Sequence, residues 1–238
     1  MAVTAADKLK AAQMQRAAQD GINPYASSVE SANLTPKDLA FYNEQLRIDK
    51  AYLASLPTLE EKIIAKQNRI STYWPYLIKY MDQRDCYPNR VAVNIMIWLF
   101  DVNSIEQGLQ LALLLIKQQC HVMPRNFERD MPTFVCDALY DWAADLLKKN
   151  QSASPYLATV VATLEQEHWP LSPPVHSKMH ALLAKHYARE EQWQHVSTHC
   201  AKAKAANPDG HGTKTLAEKA SGKLAPQAQS GANTTEAP

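Results

Sequence analysis

Between residues 22 and 209 the chain contains a single glycine, Gly108; the other five stand at 21, 210, 212, 222 and 231. Tight β-hairpins favour glycine because their turns need positive φ, and phosphate-binding loops set several glycines beside the phosphates. A β-rich fold and a nucleotide-binding loop are both disfavoured by this spacing. What remains is an all-α chain punctuated by its 14 prolines. With 238 residues, 46% of them hydrophobic, such a chain can bury a substantial core. Its longest apolar run, 91–100, is interrupted by Asn94 and ends at Asp101, well short of the ~20 apolar residues that a membrane helix needs. The N-terminus shows no apolar run followed by a cleavage site, so no secretion signal is expected.

Local signals divide the chain. Residues 5–20 are rich in Ala, Gln and Lys but carry only Leu9 and Met14 as larger apolar groups, which makes a marginal helix followed by a linker, together residues 1–34. Thr35-Pro36 is a helix start, with Thr as cap and Pro at the first position. Leu39, Tyr42, Leu46, Asp49, Leu53 and Leu56 then form a heptad seam with one acidic interruption, and Pro57 stops it. Thr58-x-x-Glu61 is a capping box for a second helix, completing a hairpin over 35–82. A seam this short suits packing within the chain or between copies. Residues 83–150 form a compact helical core. Its first helix, VAVNIMIWLF, is apolar all round; Ser104-x-x-Gln107 caps the next; and a third carries Phe134, Val135, Ala138, Leu139, Trp142 and Leu146 at helical spacing. Ser154-Pro155 and Ser172-Pro173 repeat the start chemistry. In 151–221 a tetratricopeptide-like pair, 175–189 and 193–206, is expected, followed by a disordered tail over 222–238.

The chemistry-bearing residues are few. The four cysteines form no C-x-x-C pair and read as buried free thiols. His176 and His180, and His195 and His199, lie at i, i+4, a spacing at which each pair could face a metal, but no second cluster completes a ligand set. No cofactor is called for. Asp137, Asp141 and Asp145 stand one turn apart on a single helix face, a row that is usually a solvated surface and that could hold Mg²⁺ only if the chain is a nuclease. Net charge is +1, so binding of nucleic acid would have to concentrate cations by geometry or by repetition in an oligomer. The best such candidate is Lys62, Lys66 and Arg69, on one face of the second hairpin helix, where three cations in line can meet successive phosphates.

From residue 71 to 132, STYWPYLIKYM, NIMIWLFD, GLQLALLLIK and MPRNFERDMP follow one another. Their order resembles the phage terminase small subunit family, often described as the terminase endonuclease subunit. The matching positions are Trp74 and Pro75; Met96, Trp98 and Asp101; Leu109 and Ala112; and Met123, Pro124, Phe127 and Arg129. Asn103 and Ser104 stand where that family usually has Gly-Asp, and Gln119 or Cys120 replaces a glycine. The resemblance implies a packaging role in the cytoplasm of the bacterial host. It implies double-stranded phage DNA as one partner, a terminase large subunit as another, and a homo-oligomer, a ring, with no membrane involved. Arg129 joins Lys62, Lys66 and Arg69 as a DNA-binding candidate. Two rival readings stand beside it: a helical adaptor that binds only protein, and a Mg²⁺-dependent endonuclease using Asp137 and Asp141.

Overall fold

The structure, a computed structural model, describes residues 34–83 and 86–225. Within them lie nine helices and no strand: α1 (Pro36–Ser55), α2 (Leu59–Asp82), α3 (Arg90–Asp101), α4 (Ile105–Gln118), α5 (Met131–Lys148), α6 (Tyr156–Gln166), α7 (Pro173–Arg189), α8 (Trp193–Ala206) and α9 (Lys214–Leu224). The expected helix at 5–20 and most of the expected tail lie outside the described residues. The chain divides between Leu171 and Ser172 into two compact units.

The first unit begins with the hairpin. Thr35 and Asp38 cap each other reciprocally, as do Thr58 and Glu61, each Thr hydroxyl accepting from the N3 amide at 3.2 Å. The seam faces inward: Leu46, Asp49 and Leu53 are buried. α2 continues through Pro75, although proline deletes a backbone donor and crowds the preceding turn. The burial of Tyr73, Trp74, Tyr76, Leu77 and Tyr80 around it offsets that cost. Behind the hairpin, α3 is buried from Val91 to Phe100, as its all-round apolarity demands. α4 returns against α3, with Gly108 facing the Phe100 ring, where an added Cβ would make an ordinary contact at 3.4 Å. α5 buries Met131, Val135, Cys136, Leu139 and Ala143, while Phe134, Ala138, Trp142 and Leu146 of its expected stripe stay half-buried. α6 completes the unit, with Tyr156 Oη donating to Glu106 Oε2 at 3.0 Å.

Three expectations are corrected. Ser104 and Ser172 stand at the N-cap but make no side-chain cap bond, and at α6 the cap position falls on Pro155 rather than Ser154. Cys136 and Cys200 are buried thiols outside any disulfide, as expected, whereas Cys86 and Cys120 are bonded to each other. They lie 34 residues apart in sequence, but the α3–α4 hairpin returns the chain on itself and closes that gap. In the second unit, α7 and α8 pack on each other as a helix pair over the expected residues. A third helix, α9, packs on α8 and extends to Leu224, beyond the start of the expected tail. Its anchors are Leu216, Ala217 and Ala220, which meet Ala184, Val196 and Cys200.

Candidate nucleic-acid interface

The cationic face of α2 is held by two long-range ion pairs. Lys66 Nζ lies 2.7 Å from Asp101 Oδ2, the last residue of α3. Arg69 Nε lies 2.8 Å from Asp49 Oδ1, while its guanidinium sits 4.1 Å from the centre of the Tyr52 ring. Asp49 is only 4% exposed and also accepts from Tyr73 Oη at 2.6 Å. Burial first, and then this hydrogen bond, push the Tyr73 phenol well above its ordinary range. The acidic interruption of the heptad seam therefore joins α1 to two positions of α2. Lys62, half-buried one turn before Lys66, pairs with no described residue. So the three in-line cations divide: Lys66 and Arg69 anchor the hairpin, with side-chain exposures of 18% and 28%, and Lys62 keeps its charge for other partners.

Asp101 connects this face to a cleft of about 1240 Å³ between the outer face of α5, the end of α3 and the segment 126–129. Its apolar wall is a chain of edge-to-face rings, Phe100 to Phe134 at 5.8 Å and Phe134 to Phe127 at 5.5 Å. Asp137, Asp141 and Asp145 line it, one per turn of α5. Arg129 reaches Asp137 in a close ion pair, and Asp145 meets Lys149 Nζ at 3.0 Å and Lys148 Nζ at 3.5 Å. Hydrogen bonding from Lys149 holds the Asp145 carboxyl below its usual range. Five acids (Asp101, Glu128, Asp137, Asp141, Asp145) face three cations (Arg129, Lys148, Lys149), a lining of net charge −2 that repels a bare phosphate backbone from the floor. The rim differs, because the Arg129 side chain is 64% exposed.

The structure thus brings Arg129, Asp137 and Asp141 around one cleft, with Lys66 at its edge through Asp101, and keeps Lys62 and Arg69 out of its lining. Among the described residues no group of three His, Cys, Asp or Glu is placed to hold a metal ion. In the second unit the two histidine pairs meet: His180 Nδ1 stands 2.9 Å from His199 Nδ1, a separation at which one proton is shared between the rings. The anchoring roles of Asp49 and Asp101 escape a reading of the sequence, because their partners are 20 and 35 residues away. The one available signal was the charged residue standing inside an apolar seam.

The phage small terminase subunit family matches residues 43–171, from the middle of α1 to the end of the first unit. A relative from Haemophilus phage HP1 (strain HP1c1), "Probable terminase, endonuclease subunit", is 29% identical over 184 residues. The alignment covers 76% of this chain and 64% of the relative, so the chain spans less than two thirds of that protein's length. No solved structure matches it significantly.

Proposed function

This chain belongs to the phage small terminase subunit family, and on that premise we propose that it selects viral DNA for packaging and recruits or regulates a large ATPase subunit. The observation that carries the reading is the match over 43–171, which includes most of the hairpin, the core and the Asp101 that pairs with Lys66. DNA contact runs through the α2 face and the cleft rim, with Lys62 and Arg129 as the leading contacts and Lys66 and Arg69 beside them. Lys66, Arg69 and Arg129 each share charge with an aspartate, but the Arg129 side chain is 64% exposed against 18% and 28% for the other two, so Lys66 and Arg69 position the face more than they neutralise phosphate.

So neutral a chain gains affinity by repeating a weak site, which favours a homo-oligomer, a ring, working in the host cytoplasm. A feature of α1 supports self-association. Phe41, Ile48 and Tyr52, spaced seven and four, form a second apolar stripe separate from the buried seam, with Phe41 61% exposed. A second copy of the chain is the occupant that repetition requires.

The test is a duplex-DNA titration over a salt series with Lys62→Glu and Arg129→Glu, checking assembly separately. Affinity and salt slope should both fall; wild-type values would sink the proposed contacts. Duplex cleavage by the purified chain with Mg²⁺, lost in Asp137→Ala and Asp141→Ala, would instead favour the nuclease reading.

A further inference from the structure

Cys86 and Cys120 play no part in the reading above. They stand on the two links at the open end of the α3–α4 hairpin, Cys86 three residues before the α3 cap Asn89 and Cys120 two residues after the end of α4. The hairpin brings their Cα atoms to 6.8 Å, within the span that a disulfide bridges, and the sulfurs are bonded. Cys86 is exposed and Cys120 half-buried, whereas Cys136 and Cys200 are buried and far less accessible.

The surroundings suit exchange chemistry. Cys86 Sγ lies 3.4 Å from the Gln118 carbonyl oxygen, which accepts its S–H in the reduced form. Cys120 Sγ lies 3.3 Å from His121 Nε2. The backbone N–H of Asn89 donates to His121 Nδ1 at 3.3 Å, so the proton of the neutral ring sits on Nε2. There it donates to Gln118 Oε1 at 2.6 Å, with Tyr80 Oη at 3.1 Å and the Cys120 sulfur at 3.3 Å around the same nitrogen. The thiolate is the form that attacks a disulfide, and the exposed Cys86 is the one that an external disulfide can reach. The same tautomer leaves Nε2 without a lone pair for a metal, so the group does not act as a Cys₂His ligand set.

We propose that Cys86 and Cys120 form a reversible thiol–disulfide site that exchanges with small disulfides of the glutathione class and, when oxidised, clamps the open end of the α3–α4 hairpin. The exposed Cys86 thiolate attacks one sulfur of glutathione disulfide and expels a glutathione thiolate. The Cys120 thiolate then attacks the Cys86 sulfur of the mixed disulfide, forms the internal bond and expels the second glutathione. Two protein thiols become one disulfide, one glutathione disulfide becomes two glutathione thiols, and the protein's two thiol protons end on the leaving groups. Cys120 opens the link that continues to Arg129, so the clamp fixes the start of the segment bordering the cleft.

The experiment equilibrates the full chain in glutathione buffers from fully reduced to fully oxidised, quenches with acid, alkylates under denaturing conditions and weighs the product. Four alkylated thiols are expected in the reduced buffer, matching the four cysteines, and about two in the oxidised one, with a Cys86–Cys120 peptide recovered by digestion and the change reversed by excess thiol. The oxidised form should melt several degrees higher, on the order of 10 °C, because the bond closes a long loop in the unfolded chain. Cys86→Ser and Cys120→Ser should each abolish the internal bond while melting like the reduced parent. Four free thiols at every buffer ratio, a persistent glutathione adduct on the wild-type chain, or a bridge to Cys136 or Cys200 would overturn the proposal.

Discussion

Asp49 shows how one residue decides the hairpin. A carboxylate in the seam of α1 has to find donors when it is buried, and it finds two, the Arg69 guanidinium and the Tyr73 hydroxyl. Removing the hydroxyl alone leaves the carboxylate short of a donor, so Tyr73→Phe should lower unfolding free energy by about 1.5–3 kcal/mol in urea titrations. An unchanged midpoint would show that the Arg69 pair suffices. His121 supplies a pH-dependent counterpart. Burial lowers its pKa below the model-peptide value of 6.5, so the native state holds it neutral while the unfolded chain takes up a proton as pH falls below about 6.5. The unfolded state then binds more protons, and the stability present above that pH is lost as pH drops towards the native pKa. In reducing buffer, His121→Gln should therefore lose less stability than wild type between pH 7.5 and pH 5.5, and an identical loss would place the titrating group elsewhere.

At the scale of elements, the starts of α1 and α2 were legible in the sequence because a capping box is local: Thr58 and Glu61 are three residues apart and satisfy each other whatever the rest of the chain does. The apolar runs of α3 and α4 were legible for a similar reason, since burial follows apolar character all round α3 and on one face of α4. Ser104 misled because its φ of −80° and ψ of 63° lie outside the extended region usual for a cap, while Ser172 is extended and still makes no cap bond. This contrast is measurable. Thr58→Ala should cost about 1 kcal/mol of stability, whereas Ser104→Ala, whose hydroxyl makes no cap bond, should cost less than about 0.5 kcal/mol. Equal losses in thermal or urea unfolding would contradict the cap geometry. The Lys62, Lys66, Arg69 row was also readable as a helix face. What each cation does there was not, because Asp101 is brought to Lys66 only by the packing of α3 against α2. The Cys86–Cys120 bond and the packing of α9 on α8 were hidden for the same reason.

Across the whole molecule the ruling fact is that 25 basic residues balance 24 acidic ones, and the cleft along α5 is itself net acidic. A single copy offers few phosphate contacts, and the salt dependence of DNA affinity scales with their number, about 0.9 in log-log slope for each. Assembly and contact should then separate under mutation. Ile48→Glu places a charge on the exposed stripe of α1, away from the buried seam, and Ile48 is 49% exposed, so the subunit should still fold. In sedimentation that variant should run as smaller species, and its DNA affinity should fall by roughly 10²-fold or more as avidity is lost. Lys62→Glu should leave sedimentation unchanged and reduce only the slope and the affinity. If Ile48→Glu sediments like wild type, the stripe is not the surface between copies; if it dissociates yet binds DNA with the parental slope, the contacts reside in one copy and repetition contributes nothing.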